Sequence, residues 1–261
     1  MKQSLLWKLT PPDRALTPSY LFGTMHVNDI KVFKGIDQIT ARLEQCEALA
    51  LEFNLEDISS SVNPMPYLKP LDMLIPVKKF QKLRHVLLRT IDIDIQQMRF
   101  LSPMAMVNLI NDQLFTQMMP VSLDQYLFDY AKSEHKEILG IESFQEQIAI
   151  MQHIPIDYQI KSLLWIGSHF SQHRKGLYKM IDWYQKGDLR QLYRSAKGNA
   201  HELRPLLLYH RNAIMAERIG GMIREKTIFC AIGAGHLPGE KGVLRLLKKQ
   251  GIKIKAINYY K

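Results

Sequence analysis

The sequence predicts an α/β fold. A central sheet is built from two half-units at the two ends of the chain, with a large helical section, approximately residues 58–222, between them. Three observations carry this reading. Ala48–Phe53 and Thr227–Ile232 are near-continuous apolar runs, the pattern of strands covered on both faces. The order strand, G-x-x-H, helix, strand occurs twice, around Gly23-Thr24-Met25-His26 and around Gly233-Ala234-Gly235-His236. Between them, apolar residues recur at the 3.6-residue helical period. Each half-unit predicts parallel strands joined by a right-handed crossover, and the whole of 1–261 reads as one domain.

Taken in order, Tyr20–Gly23 is the first strand. Gly35–Glu47 is a helix with Ile36, Ile39, Leu43 and Cys46 on one face, leading into the strand Ala48–Phe53. Ser59–Pro76 holds four prolines and reads as a loop. Val77–Thr90 (Phe80, Leu83, Leu87, Leu88) and Ser122–Ser133 (Leu123, Tyr126, Leu127, Tyr130) are helices, and Ile138–Ile141 is the third strand. Ser143–Gln152, Ile160–Lys175, Leu177–Lys186 and Leu203–Ile223 are further helices. Gly187-Asp188 and Lys197-Gly198-Asn199 read as turns. Thr227–Ile232 is the fourth strand, Lys241–Gln250 a helix, and Ile252–Ile257 a last strand that alternates as if one face were wet.

Composition narrows the class. A chain of 261 residues, 46% hydrophobic and 23% charged, excludes disorder as the main state. Cys46 and Cys230 are too few for a disulfide framework and form no C-x-x-C, so both predict buried free thiols. No apolar run reaches the ~18 residues of a membrane span, and Leu5-Leu6-Trp7 is too short for an export signal. As it begins, the chain predicts a cytoplasmic protein; a leader trimmed from its start would make it an exported one. Residues 1–160 hold 15 Lys/Arg against 19 Asp/Glu, and residues 161–261 hold 20 against six. A basic second half complementing an acidic first half accounts for this. No nucleic-acid motif accompanies the charge, so no nucleic acid is expected as a partner.

The chemistry concentrates at the strand ends. Loops after parallel strands collect at the carboxyl edge of a sheet, where α/β folds place their sites. His26 and His236 each follow a strand-terminal glycine, Gly23 and Gly233, which permits a tight turn and close backbone approach. Glu52 closes an apolar strand, where a carboxylate is costly unless paired or bound to metal. A parallel neighbour strand would set it beside His26. Two histidines and a carboxylate are a recurrent ligand set for catalytic zinc, manganese or iron. Glu142 ends the third strand, with Gln147 in the helix that follows. Arg211-Asn212 interrupts an apolar helix, where an arginine either pairs with a carboxylate or holds an oxyanion. His169 and His173 are four apart but lack the glutamate of H-E-x-x-H, so they read as a solvated face. Gly233-Ala234-Gly235-His236-Leu237-Pro238-Gly239 imitates a dinucleotide fingerprint, but the following strand offers no acid for a ribose.

These stretches together resemble the TraB/GumN family, whose animal relatives are the Tiki metalloproteases. The resemblance rests on Tyr20–Val27, Ala50-Leu51-Glu52, Leu123-Asp124, Leu139–Ser143 with Glu146-Gln147, Arg211-Asn212, and Ala231–Gly239 with its closing H-L-P-G. It implies a divalent-metal site, manganese or cobalt favoured and zinc a further candidate, held by His26, His236 and Glu52. By position, Glu52, Arg211 and Glu142 would be the catalytic residues, with Gly23, Thr24, Gly233, Gly235, Asn212 and Gln147 supporting. It further implies peptide or protein substrates, hence a metal-dependent hydrolase of metallopeptidase type. The alternative is a peptide-binding or regulatory protein of the same fold without turnover.

Overall fold

The structure, a computed structural model, describes residues 4–13, 18–57, 69–115 and 119–259. Six strands form one sheet: β1 (Leu6–Thr10), β2 (Ser19–Thr24), β3 (Ala48–Leu51), β4 (Glu137–Gly140), β5 (Ile228–Gly233) and β6 (Lys253–Ile257), in the order β4-β3-β5-β2-β1-β6. β4, β3, β5 and β2 are mutually parallel, and β1 runs antiparallel to both β2 and β6. The α/β class read from the sequence is the observed one. β5 lies between β2 and β3, so the loop after β3 adjoins the loop after β5 rather than the one carrying His26.

The sheet is buried as its apolar runs require. β2 and β3 are buried at every residue, and Leu49, Leu51, Ile228, Phe229 and Ile232 are each at most 2% exposed. Cys46 and Cys230 are buried free thiols, and burial raises both, Cys46 to about 12. β1 escapes the sequence reading. Leu6-Trp7-Lys8-Leu9-Thr10 is short and, seen as a chain start, looks like a stray apolar patch. Its strand character comes from two partners distant in sequence, Leu6 against both Phe22 and Ile257.

The helices after β2 are α1 (Ile36–Glu44), then, after a single helical turn at Leu71–Leu74, α2 (Val77–Ile91). α3 (Pro103–Gln113) is a further helix beyond those the periodicity predicts; Ser102 caps it and Pro103 occupies its first turn. α4 (Leu123–Ser133) precedes β4, and α5 (Phe144–Gln152) follows it behind a Ser143–Glu146 capping box. Most of the loop expected at Ser59–Pro76 lies outside the described residues.

The predicted helix Ile160–Lys175 is two helices, α6 (Ile156–Ser168) and α7 (Phe170–Gln185), broken at His169. The break has a packing reason. Leu163 and Ile166, with Phe170 just past the break, enter a helical cluster with Phe80, Leu83, Met106 and Ile110, whereas Leu177 and Ile181 further along α7 enter the cluster around the sheet. The turn expected at Lys197-Gly198-Asn199 is the end of helix α8 (Leu189–Ala200), capped by Asp188. A Cβ on Gly198 would meet nothing within 4 Å beyond its own helix, and a lone helical glycine costs only ~1 kcal/mol. A π-helical turn (Pro205–His210) leads into α9 (Arg211–Glu225), and α10 (Val243–Lys249) joins β5 to β6.

Candidate functional site

Four parallel strands deliver their carboxyl ends to one sheet edge, and there the polar residues gather. Glu52 is the first residue past β3, Glu142 the second past β4, and Gly233 the last of β5. The Glu142 N–H donates to the Glu52 carbonyl at 2.6 Å, which locks the two loops together. Arg211, the first residue of α9, reaches over this edge. Its Nε donates to both Glu142 oxygens (3.0 and 3.1 Å), and its Nη2 donates to Glu142 Oε2 (2.5 Å) and Glu52 Oε2 (2.8 Å). Gln147 Nε2 donates to Glu142 Oε2 at 3.2 Å and Glu52 Oε2 at 3.4 Å. Glu142 is 3% exposed, and a carboxylate so buried persists only when its lone pairs are met.

His236 completes the network. Its Nδ1 lies 2.6 Å from Asn212 Oδ1, while Asn212 Nδ2 donates to the Lys241 carbonyl at 2.7 Å. The amide orientation makes Oδ1 the acceptor, so Nδ1 carries the proton and Nε2 presents its lone pair. That lone pair faces Glu52 Oε1 across 3.9 Å. Oε1 also accepts the Gly233 N–H at 2.7 Å. A Cβ on Gly233 would sit 3.0 Å from Oε1, so the bare backbone is what admits the carboxylate.

Burial would raise the Glu52 carboxyl. His236 when charged, Arg211 and the Gly233 amide outweigh it and bring Glu52 down to about 2. Burial, reinforced by Arg211, pulls His236 below its ordinary range against the two glutamates, so it is neutral at neutral pH. Arg211 and the Gly233 amide therefore hold Glu52 ionised beside a neutral imidazole. Despite burial, Glu142 and Glu52 keep Arg211 firmly charged. With its Nε and Nη2 committed to carboxylates, Arg211 fulfils the pairing alternative of the sequence reading.

Of the sequence-predicted residues, Glu52, Glu142, Gln147, Arg211, Asn212, Gly233 and His236 form this one network. Thr24 is buried beside it, paired with Gly233. Gly23 is in close contact with the β5 loop, since a Cβ there would lie 2.7 Å from Leu237 Cδ1. A Cβ on Gly235 would lie 3.1 Å from Ala196. His26 stands apart, its side chain 71% exposed and its Nδ1 3.4 Å from Asp124 Oδ2. The Asp124 hydrogen bond raises it, with Asp112 and Glu52 adding to the rise. Asp124 and Asp112 were not chosen as site residues from the sequence; Asp124 lay in the motif Leu123-Asp124 at the start of a predicted helix, which was its only signal. Among the described residues, no three His, Cys, Asp or Glu side chains group as a metal cage. His169 and His173 do not pair with each other. His169 Nδ1 donates to the Trp165 carbonyl at 3.1 Å and His173 Nε2 donates to Asn111 Oδ1 at 2.7 Å.

The profile of the TraB/PrgY/gumN family matches residues 5–256. Among similar proteins, the "Metalloprotease TIKI homolog" of Nematostella vectensis is 25% identical over 97% of this chain and 67% of its own length. "Metalloprotease TIKI2" of Danio rerio is 24% identical over 96% of this chain and 60% of its own. The "Uncharacterized protein YbaP" of Escherichia coli (strain K12) is 22% identical over 88% of this chain and 87% of its own. The chain thus spans about three fifths to two thirds of the Tiki relatives. No solved structure matches it.

Proposed function

The chain belongs to the TraB/PrgY/gumN family, and from that premise we propose that it hydrolyses peptide bonds at the sheet edge where Glu52 faces His236. The observation that carries the reading is the pair of acceptors, Nε2 and Oε1, 3.9 Å apart, with Asn212 fixing the imidazole from behind. Two lone pairs so opposed call for a proton, a water or a cation between them. The names of the Tiki relatives support peptide bonds as the target.

This donor set fits a divalent ion. A carboxylate and a neutral imidazole are ordinary ligands, and a hydrogen bond to the imidazole's other nitrogen is the usual support of a metal-bound histidine. Glu52 and His236 would hold it, and His26 would join only by leaving Asp124. Manganese, cobalt or zinc would polarise the scissile carbonyl and acidify a bound water. The protein's own residues do the rest. Where no ion lies between them, Glu52 and His236 hold the attacking water by its two O–H groups, and His236 Nε2 takes one proton as the water oxygen bonds to the carbonyl carbon, before the C–N bond breaks. The same proton returns to the leaving amine. Arg211 fixes both glutamates, and Asn212 keeps the proton on Nδ1, so Nε2 stays free to accept.

The test is hydrolysis of reduced, carboxymethylated casein, with bound metal counted by mass spectrometry. Turnover should vanish in Glu52→Gln and His236→Ala, with metal content falling in both. Undiminished turnover in both variants would overturn the assignment. Undiminished turnover of chelator-treated, metal-free protein would remove the ion and leave the imidazole–carboxylate pair as the machinery.

A further inference from the structure

The exposed apolar side chains are unevenly spread. Met73, Val77, Leu88, Met98, Phe100 and Leu101 are all exposed, and all lie within residues 71–101. That stretch builds the helical cluster, not the one around the sheet. Met73 is 78% exposed and Val77 71%. Such residues scattered singly need no explanation, but a group of them marks an interaction surface.

They share one side of the helical cluster. α2 buries Phe80, Leu83 and Leu87. At about 100° per residue, Val77 and Leu88 fall together beside that buried stripe, on the margin that also carries Arg84. The chain after α2 returns along this margin. Arg84 holds Asp94 through Nε and Nη2 at 2.6 and 2.7 Å, and the Leu71 N–H donates to the Arg99 carbonyl at 2.7 Å. These bonds bring Met98–Leu101 alongside the Leu71–Leu74 turn, which carries Met73 and leads into Val77.

The next stripe round α2 is cationic. Lys78, Lys82 and Arg89 stand on it, with Lys79 beyond, and all four are exposed. α2 has no acidic residue, and among the described residues only Arg84 of its cations meets a carboxylate. Lys79 and Lys82 also line a cavity of about 210 Å³ between α2 and α6, with Leu83, Leu164, Gly167 and Ser168. Its lining offers two ammonium groups and a hydroxyl against an apolar wall, and no carboxylate.

We propose that this face seats the chain on an anionic lipid bilayer. Met73, Val77 and Phe100 enter the headgroup boundary, the α2 lysines meet lipid phosphates, and the cavity receives one headgroup. The charge selects a bilayer over a protein partner. Protein interfaces are depleted in lysine, whereas apolar side chains flanked by unpaired lysines are the pattern of surfaces that lie on anionic membranes. The claim is independent of the hydrolase reading, since none of these residues belongs to the Glu52–His236 network.

The test is sedimentation of the full chain with phosphatidylcholine vesicles, with and without phosphatidylglycerol. The chain should pellet with the mixed vesicles, stay in solution with phosphatidylcholine alone, and be released as added salt shortens the screening length. Each lysine near an anionic surface is worth roughly fivefold in partitioning, so Lys78→Gln, Lys79→Gln and Lys82→Gln together should weaken binding ~100-fold. Met73→Ser with Val77→Ser should weaken it about tenfold at unchanged charge. All five positions are exposed, so both variants should melt like the wild type. Lys253→Gln with Lys255→Gln removes two exposed lysines from β6 and should leave binding unaltered. Glu52→Gln should bind like the wild type whatever its turnover. Absence of binding to mixed vesicles, equal binding to both kinds, or as large a loss per lysine from β6 as from α2 overturns the proposal. So does a lipid-free dimer, seen by analytical ultracentrifugation, that Met73→Ser with Val77→Ser dissolves, because the face would then belong to a second copy of the chain.

Discussion

Replacing Arg211 by alanine probes the network at its centre. The guanidinium supplies the charged bridge between the two carboxylates: Nε to both Glu142 oxygens and Nη2 to Glu142 and Glu52. Its side chain is 14% exposed, and that of Glu142 is 2%. Without it Glu142 retains only Gln147 among its side-chain donors, at 3.2 Å. Removing one partner of a buried ion pair and stranding the other costs ~3–5 kcal/mol. In a chain of this size that lowers the melting temperature by roughly 10 °C. The deficit should depend on pH. Glu52 titrates at about 2 in the fold against an ordinary 4.5, so its stabilisation is complete above 4.5 and is lost as the pH falls toward 2. The variant keeps the parts due to His236 and the Gly233 amide and lacks the Arg211 part of that contribution, so the gap from wild type should be widest near pH 7 and narrow below 4.5. Urea unfolding at pH 7 and pH 3 measures both quantities. A loss under ~1 kcal/mol, or a gap that does not narrow in acid, would refute the reasoning.

Three further perturbations test other parts of the argument. Phe229 is fully buried beside Tyr20 and Phe22, so Phe229→Ala should cost ~3–5 kcal/mol by urea unfolding, and a loss under ~1 kcal/mol would contradict a doubly covered strand. Gly23→Ala sets a Cβ 2.7 Å from Leu237 Cδ1 and 3.1 Å from the Ala234 backbone; the leucine can yield but the backbone cannot, and a melt should show ~1–3 kcal/mol of overpacking. Asn212→Ala frees the His236 proton to move to Nε2, which should weaken manganese or cobalt binding ~10- to 100-fold by titration calorimetry; unaltered affinity would show that the ion does not use His236.

Much of the site was legible because its residues break local rules. Glu52 is a carboxylate at the end of an apolar strand, and Arg211-Asn212 interrupts an apolar helix; both are misplaced unless something distant answers them. What answers them was only half legible. Arg211 was equally a candidate for pairing or for holding an oxyanion, and the choice depended on Glu142, 69 residues away in sequence, reaching Nε and Nη2. His26 shows the opposite case. Its motif matches that of His236, yet its partner is Asp124, because β5 lies between β2 and β3 and sets the loop after β5, not the one carrying His26, directly beside Glu52.

By itself the sequence determined the α/β class, the buried strands and the identity of the polar residues at their ends. Apolar runs and helical periods are local records of burial, and a charged residue in the wrong place is a local record of a partner. The strand order, the inclusion of β1, the break at His169 and the grouping of Glu52 with His236 rather than His26 were decided only by tertiary structure. Each is a choice among partners far apart in the chain: β1 between β2 and β6, α6 and α7 between two cores, Glu52 between the loops after β2 and β5. Pairing free energy of that kind resides in the assembled sheet edge and leaves no period in the sequence of either partner.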